Sequence, residues 1–402
     1  MPVIGSVIGS GRTDLVFQGL DCRSNSSGFY FNGTDHITIE NCIVTGPGNL
    51  IETSGWGILV FNGDNILISD CTVSGWHLGG IGLLDETINS RVTNCEVYNN
   101  VLGIIIRGTI ADGGSHHNDI DYNDTYANGS AGIYLSGYAN QNLVHNNHSH
   151  HNALLPGIYG EPYGIAVSCS SYNEIFENEI NDNADHGIEI FSGLPPIFPN
   201  STVSNGNKIY RNRIYNGGSF GIFVNSGGGA APSYNEIYYN LIYDNKLSGF
   251  QSFGPTGQWN KLYNNTIVEN TLRGVHFETN DTVWDVRNNI FSDNKGYYQL
   301  MTGNVATGVA LYHVYNLYWP NGSSGKAIYY NKVFYSLSEV KSTWEPTAII
   351  TNPLFVDPIN HDFHLLTNSL AIDAGMDVWL TEDFAGNPIL GYPDIGAYEY
   401  QQ

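Results

Sequence analysis

The sequence predicts an all-β fold, a single right-handed parallel β-helix of roughly ten to twelve coils with an irregular C-terminal cap. Three observations predict it. A Gly-Ile phrase recurs at a near-fixed interval, apolar alternation inside each recurrence has the two-residue period of a strand, and one corner position carries like residues coil after coil.

The phrase is clearest in Tyr172 to Phe191, YNEIFENEINDNADHGIEIF. Its marker returns at Gly28-Phe29, Gly57-Ile58, Gly80-Ile81, Gly103-Ile104, Gly132-Ile133, Gly164-Ile165, Gly187-Ile188, Gly221-Ile222, Gly249-Phe250 and Gly274-Val275, at spacings of 23 to 34 residues. Self-similarity of this kind is the signature of stacked supersecondary units. The companion half appears as NDIDYN, NLVHNN, NKIYRN, NEIYYN and NKLYNN. Leucine-rich repeats need Leu at fixed offsets, and propeller blades need four strands in about 40 to 45 residues; neither pattern fits.

Aligning these phrases puts Cys22, Cys42, Cys71 and Cys95 in one slot, followed by Asn123, Asn147, Asn178, Asn212, Asn240, Asn265 and Asn289. Stacked Asn side chains hydrogen-bond along the axis at a strand spacing of about 4.8 Å. Cys behaves in such a slot as a small hydrophobe, so reduced thiols are the plain reading, although neighbours at that spacing also fall in the Cα range for a disulfide.

The coils are expected over residues 1–299, with decaying coils and a cap segment over 300–402. Ser336 to Ser342 is the one plausible helical turn. The last fifty residues read NPLFVDP, DFHLLTNSLAIDAG, DFAGNP and PDIGAYEY. This closing segment, taken with the repeats, resembles secreted right-handed parallel β-helix repeat proteins of bacteria in the pectate-lyase-like superfamily, over nearly the whole chain. The resemblance implies a fold and an extracellular habit more than a reaction, since related β-helices include glycoside hydrolases, polysaccharide lyases, uronate epimerases and adhesins. Asp362, Asp373, Asp383 and Asp394 read as holders of tight turns.

Lys+Arg 15 against Asp+Glu 38 gives a net charge of -23, which repels nucleic acid and anionic membranes. No apolar run reaches transmembrane length. Met1 to Asp14 lacks the charge and apolar core of a signal peptide, so secretion is read as that of a mature form. Nine sequons, at Asn25, Asn32, Asn123, Asn128, Asn147, Asn200, Asn264, Asn280 and Asn321, permit glycosylation, while chance explains many of them in so Asn-rich a chain. Charged residues are only 13% while Tyr numbers 27, a surface that suits a polysaccharide partner, although strands favour Tyr whatever the ligand.

Insertions locate a groove, because in a solenoid they rise as loops on one side. The longest are Gly108 to Ser115, Ala153 to Tyr163, Gly193 to Gly206 and Ser226 to Ser233. Between them Ile188 and Ile190 face inward, so Glu189 faces outward, with Tyr134, Ala166, Phe223, Gln251 and His276 as sheet neighbours. Asp185, His186 and Tyr163 lie just before that strand, and Glu161 is on the preceding loop. Hydrolysis of a glycoside needs one protonated and one ionised carboxyl, which Glu189 with Asp185 or Glu161 supplies. Tyr134, Tyr163, His186, Phe223, Arg107 and His276 are the expected substrate-binding residues. The plain alternative has Asp185 capping a turn and Glu189 as a solvated strand residue.

A lyase or epimerase needs cations to neutralise a uronate, and Arg107 and Arg273 are the outward candidates. That leaves a glycoside hydrolase as the leading expectation and a polysaccharide lyase, a uronate epimerase or a non-catalytic glycan-binding adhesin as alternatives. Hydrolysis requires no cofactor; calcium is the bridging cation an anionic polymer would call for. His116, His117, His145, His148, His150 and His151 form a second cluster on two adjacent coils, where a solvated charge ladder competes with a transition-metal site.

Overall fold

The computed structural model describes residues 1–48, 55–109, 113–152, 162–193, 203–227, 231–254, 257–278, 283–296, 298–302, 310–319, 326–330 and 332–401. The chain divides into two compact units, Met1–Asn205 and Gly206–Gln402.

In Met1–Asn205 each coil gives one short strand to each of three parallel sheets. One coil runs through Leu143–His145, His148–His150 and Ile165–Ser168. The first sheet stacks His148–His150 between Asp124–Tyr126 and Glu179–Asn181, the second stacks Ile165–Ser168 between Ile133–Ser136 and Ile188–Phe191, and the third stacks Leu143–His145 between Asp119–Asp121 and Glu174–Phe176. The interior is filled by one side chain from each short strand, such as Val144 and Ile175, and two from each longer one, such as Ile165 with Val167, all fully buried. This is the two-residue alternation of a half-buried strand, coil after coil.

The Gly-Ile marker has a steric cause. A Cβ on Gly28, Gly57, Gly80 or Gly164 would lie 2.5 to 2.9 Å from the carbonyl oxygen of the equivalent glycine one coil further on. No side chain fits between these stacked backbones, so glycine recurs.

The corner slot is an amide ladder. The Asn123 amide and backbone N–H both donate to Asn147 Oδ1 at 3.0 Å, and Asn147 repeats the pattern onto Asn178. The thiols continue the slot weakly: Cys95 Sγ donates to the Thr93 carbonyl at 3.3 Å, where Asn178 Nδ2 donates to Phe176 at 3.0 Å. All five cysteines are free and buried, and burial raises the Cys22 thiol to about 11. Two further ladders flank the expected one. Asn118 pairs onto Asn142 and Asn142 onto Asn173, while Asn100, Asn128, Asn152 and Asn183 form the other. Asn123, Asn128 and Asn147 are thus buried ladder members with committed amides, and Asn264 in the second unit is buried with its amide donating to the Asp394 carbonyl, which removes four of the nine sequons as glycosylation sites.

In Gly206–Gln402 the same three sheets recur, and parallel coils continue past residue 300. Tyr298–Thr302 pairs with Arg273–Phe277 and with Lys326–Tyr330, and Val333–Ser336 adds to Lys326–Tyr330 antiparallel. The ladder Asn212, Asn240, Asn265, Asn289, Asn316 ends on the buried Glu345 carboxylate, which accepts the Asn316 N–H at 2.8 Å. The helical turn is present as Leu337–Glu339, with Ser336 and Glu339 in a capping box.

The closing segment is a strap on the side of the coils. Phe355, Phe363, Leu365, Ile395 and Tyr398 pack on Leu241, Val268, Ile290 and Leu317, and Asn288 ties it down through both backbone groups of Met376. Asp383 accepts four hydrogen bonds from Ala385, Asn387 and Glu399, and Asp394 accepts from the backbone of Asp373 and Tyr400. Asp362 likewise accepts from His364 N–H. These are turn-holding roles; Asp373 itself sits at φ 52, the left-handed region. Among the described residues no helix is long and apolar enough to cross a membrane.

Candidate active site

In the second sheet of Met1–Asn205, register places Ile8, Tyr30, Leu59, Gly82, Ile105, Tyr134, Ala166 and Glu189 in one column on the side away from the interior. Leu59, Leu84 and Ile105 form a buried apolar cluster there with Tyr30, Trp56, Phe61 and Tyr134 against it. Tyr163, Ala166 and Ala131 form the next, again with Tyr134. Glu189 therefore stands in a mostly apolar column, and it is only 4% exposed. The alternative of a solvated strand residue is excluded by that burial.

His186 and Tyr163 occupy the positions just before their strands on adjacent coils, and their rings stack at 5.1 Å and 7°. His186 is 6% exposed, and its Nδ1 lies 3.0 Å from Asp185 Oδ1. The carboxylate favours a charged imidazole while burial opposes it. Burial wins and takes the His186 pKa to about 3, so at neutral pH Nδ1–H donates to Asp185 and Nε2 keeps its lone pair. Asp185 is thus placed to orient the His186 imidazole.

Arg107 ends Ile104–Arg107, exposed, in a neighbouring column and three strands along the sheet from Phe191. At about 4.8 Å per strand that is some 14 Å, too far to neutralise a group on Glu189. Glu161 lies outside the described residues, as do most of the four insertions that were expected to wall the groove.

In Gly206–Gln402, Phe223, Gln251 and His276 are likewise in register. The Gln251 amide bridges His276 Nδ1 at 3.2 Å and Glu278 Oε2 at 2.7 Å, a relay that the sequence reading missed because Glu278 follows the strand with no repeat behind it. Burial, then the charge of Arg273, lowers His276 to about 4. Arg273 is itself partly desolvated, which lowers its pKa. A cavity of about 370 Å³ lies elsewhere, under the strap, lined by Tyr239, Asp377, Val378 and Tyr392 among others.

Many tyrosines prove structural. Tyr98 with Tyr126, Tyr210 with Tyr238 and Tyr215 with Tyr243 stack within 6° at 4.8 to 5.0 Å on successive coils. The metal-competent groups among the described residues are Asp124 with His148 and His150, Asp119 and Asp121 with His145, and Asp244 and Glu269 with His361. Imidazole donors suit transition metals, not the all-oxygen shell calcium takes.

Residues 27–203, 107–249 and 158–313 each match the family described as right handed beta helix region. No curated protein matches. Among solved structures, the chain is similar to a periplasmic alginate epimerase, AlgG, at 16% identity and TM-score 0.58 over 76% of each chain. It is similar to pectate lyase Pel9A at 14% identity and TM-score 0.52, over 96% of this chain and 89% of that one. XylC, solved with xylose, is similar at 12% identity and TM-score 0.51, over 94% of this chain and 67% of that one. At these identities the likeness is one of fold.

Proposed function

The chain belongs to the right-handed β-helix family, and from that premise we propose that it acts on an extracellular polysaccharide, as a glycoside hydrolase with Glu189 as the principal catalytic carboxyl. The observation that carries this reading is the buried acid in a mostly apolar column. Hydrolysis of a glycosidic bond needs a carboxyl held against the reacting oxygen, and the outward-facing, water-poor position of Glu189 offers one. Asp185, half-exposed and hydrogen-bonded by His186, supplies the ionised partner, and Tyr134 and Tyr163 supply apolar faces for sugar rings. The polysaccharide-acting proteins among the structural neighbours make a sugar polymer the fitting substrate class.

A second reading, proton abstraction by a lyase or epimerase, is favoured by the Asp185–His186 pair, because a neutral imidazole oriented by a carboxylate is the form of a general base. Its magnitude argues the other way. An imidazole whose conjugate acid titrates near 3 is a weak base, some four units from a neutral working pH. Hydrolysis therefore leads.

The test is a polysaccharide panel, with and without chelator, followed by reducing ends and by the ultraviolet absorbance of unsaturated product. Reducing ends without absorbance, indifferent to chelator and lowered about 10²-fold or more in Glu189→Gln, are expected. Absorbance that depends on calcium would overturn hydrolysis in favour of elimination. Binding without any product, unchanged in Glu189→Gln, would leave an adhesin.

A further inference from the structure

His148 and His150 have no part in the site above, since they lie on the first sheet and Glu189 on the second. Register puts Glu96, Asp124, His148 and Glu179 in one column and Tyr98, Tyr126, His150 and Asn181 in the next. We propose that Asp124, His148 and His150 form a binding site for a divalent transition metal ion such as Zn²⁺.

Three observations carry this. The first is spacing: His150 Nε2 lies 2.9 Å and His148 Nδ1 3.5 Å from the same oxygen, Asp124 Oδ1. Donors about 2.0 to 2.2 Å from a tetrahedral zinc stand about 3.3 Å apart, so the observed separations bracket a site.

The second is the outer partner that each ring already has. The far nitrogen of His150, Nδ1, meets His151 Nδ1 at 2.7 Å, and the far nitrogen of His148, Nε2, meets the Asn181 amide at 2.9 Å. A ligating imidazole needs its other N–H held in this way. His150 Nδ1–H donating to His151 leaves the Nε2 lone pair toward Asp124. The Asn181 amide, turned so that its oxygen accepts from Nε2–H, does the same for His148 Nδ1.

The third observation is a contrast within the molecule. His145 meets Asp119 at 2.9 Å in the same relation as His150 to Asp124, but there the Arg91 guanidinium grips Asp121 and stands where a cation would. At Asp244 and His361 the Lys295 ammonium does so, 3.0 Å from Asp244. Among the described residues Asp124 has no Lys or Arg partner; its partners are the two imidazoles, and Glu96 adds negative charge alongside. The His148 and His150 rings now stack at 4.0 Å and 23°, so binding requires His148, whose side chain is 41% exposed, to rotate until both lone pairs converge.

The experiment is titration of the metal-stripped full chain with Zn²⁺ against a chromophoric chelator, with Ca²⁺ as competitor. Native protein is expected to bind one Zn²⁺ that Ca²⁺ does not displace. His148→Ala and His150→Ala should each weaken it at least tenfold, and His151→Ala about tenfold through the outer partner, while His145→Ala leaves it unchanged. Melting curves with and without Zn²⁺ separate a lost ligand from a lost fold: Zn²⁺ should raise the Tm of native protein and of His145→Ala but not of the His148→Ala, His150→Ala double variant. No saturable binding, binding that survives the double variant, or equal loss in His145→Ala would overturn the proposal.

Discussion

Replacing Asn147 by Ala tests the corner ladder at its centre. Asn147 Oδ1 accepts from the Asn123 N–H and amide, and Asn147 Nδ2 donates to Asn178 Oδ1, the Ile120 carbonyl and the His145 carbonyl, at 2.7 to 3.0 Å. Some of these groups keep a second partner: Asn123 Nδ2 retains Val92 O, and Asn178 Oδ1 retains the Asn147 N–H. The Asn123 N–H loses its acceptor and stays buried, which costs about 1 to 3 kcal/mol, and the other bonds contribute about 0.5 to 1.5 kcal/mol each without adding in full. A total of about 3 to 5 kcal/mol follows. In a cooperative unit of this size that lowers the Tm by about 6 to 20 °C. Thermal melts followed by circular dichroism give the shift, and hydrogen exchange should show it concentrated in Asp124–Tyr126 and His148–His150. Asn147→Asp sharpens the test, because a carboxylate would face three oxygen acceptors and should be at least as damaging as Ala at pH 7, recovering in part as acid protonates it. A Tm within 2 °C of native for Asn147→Ala, or a milder effect of Asp than of Ala at pH 7, would refute the ladder as a source of stability.

Two pH dependences of opposite sign follow from buried groups. Burial, then the Asp394 charge, raises Glu399 to about 8, and burial raises Asp394 to about 6. The stability these acids contribute is complete below their unfolded values near 4 and is lost as pH rises through 6 to 8, so the strap should loosen at alkaline pH. Glu399→Gln, which keeps the Oε1 acceptor for the Asp394 N–H, should flatten that loss in a proteolysis or melting series; an unchanged slope refutes the assignment. His186 is lowered instead, so unfolding takes up a proton that the native state refuses as pH falls from about 6.5 toward 3. Stability of Met1–Asn205 should fall across that window by a few kcal/mol, and a His186→Gln protein that melts with the native pH slope would count against it.

The ladders show what a single sequence makes legible. Each ladder position is a local commitment repeated every coil, so Asn123, Asn147 and Asn178 announce themselves by alignment alone. The two flanking ladders were equally legible in principle. Asn118, Asn123 and Asn128, then Asn142, Asn147 and Asn152, then Asn173, Asn178 and Asn183 fall at intervals of five, the ladder Asn with a three-residue strand and a turn residue. The strap was legible as a change in composition but not as a side-on contact. Its anchors, Asn264 donating to Asp394 O and Asn288 to Met376, join residues some ninety to one hundred and thirty positions apart with no shared pattern.

Glu189 stands between these cases. Its outward direction follows from the period of two, but its burial depends on what surrounds that face, and no repeat dictates the long insertions beside it. Physical consistency then separates fold from function. Along its column the chain uses Tyr30, Leu59, Ile105, Tyr134 and Ala166, none of them ionisable near neutral pH. The period of two asks only for an outward residue at this position, a demand that a Val or Leu would meet as well as an acid. The fold does not ask for a carboxyl there. Departures from local consistency that the scaffold does not need are where a site is to be sought, and the adjoining His186, kept neutral at neutral pH by the same dry surroundings, is a second departure one turn away.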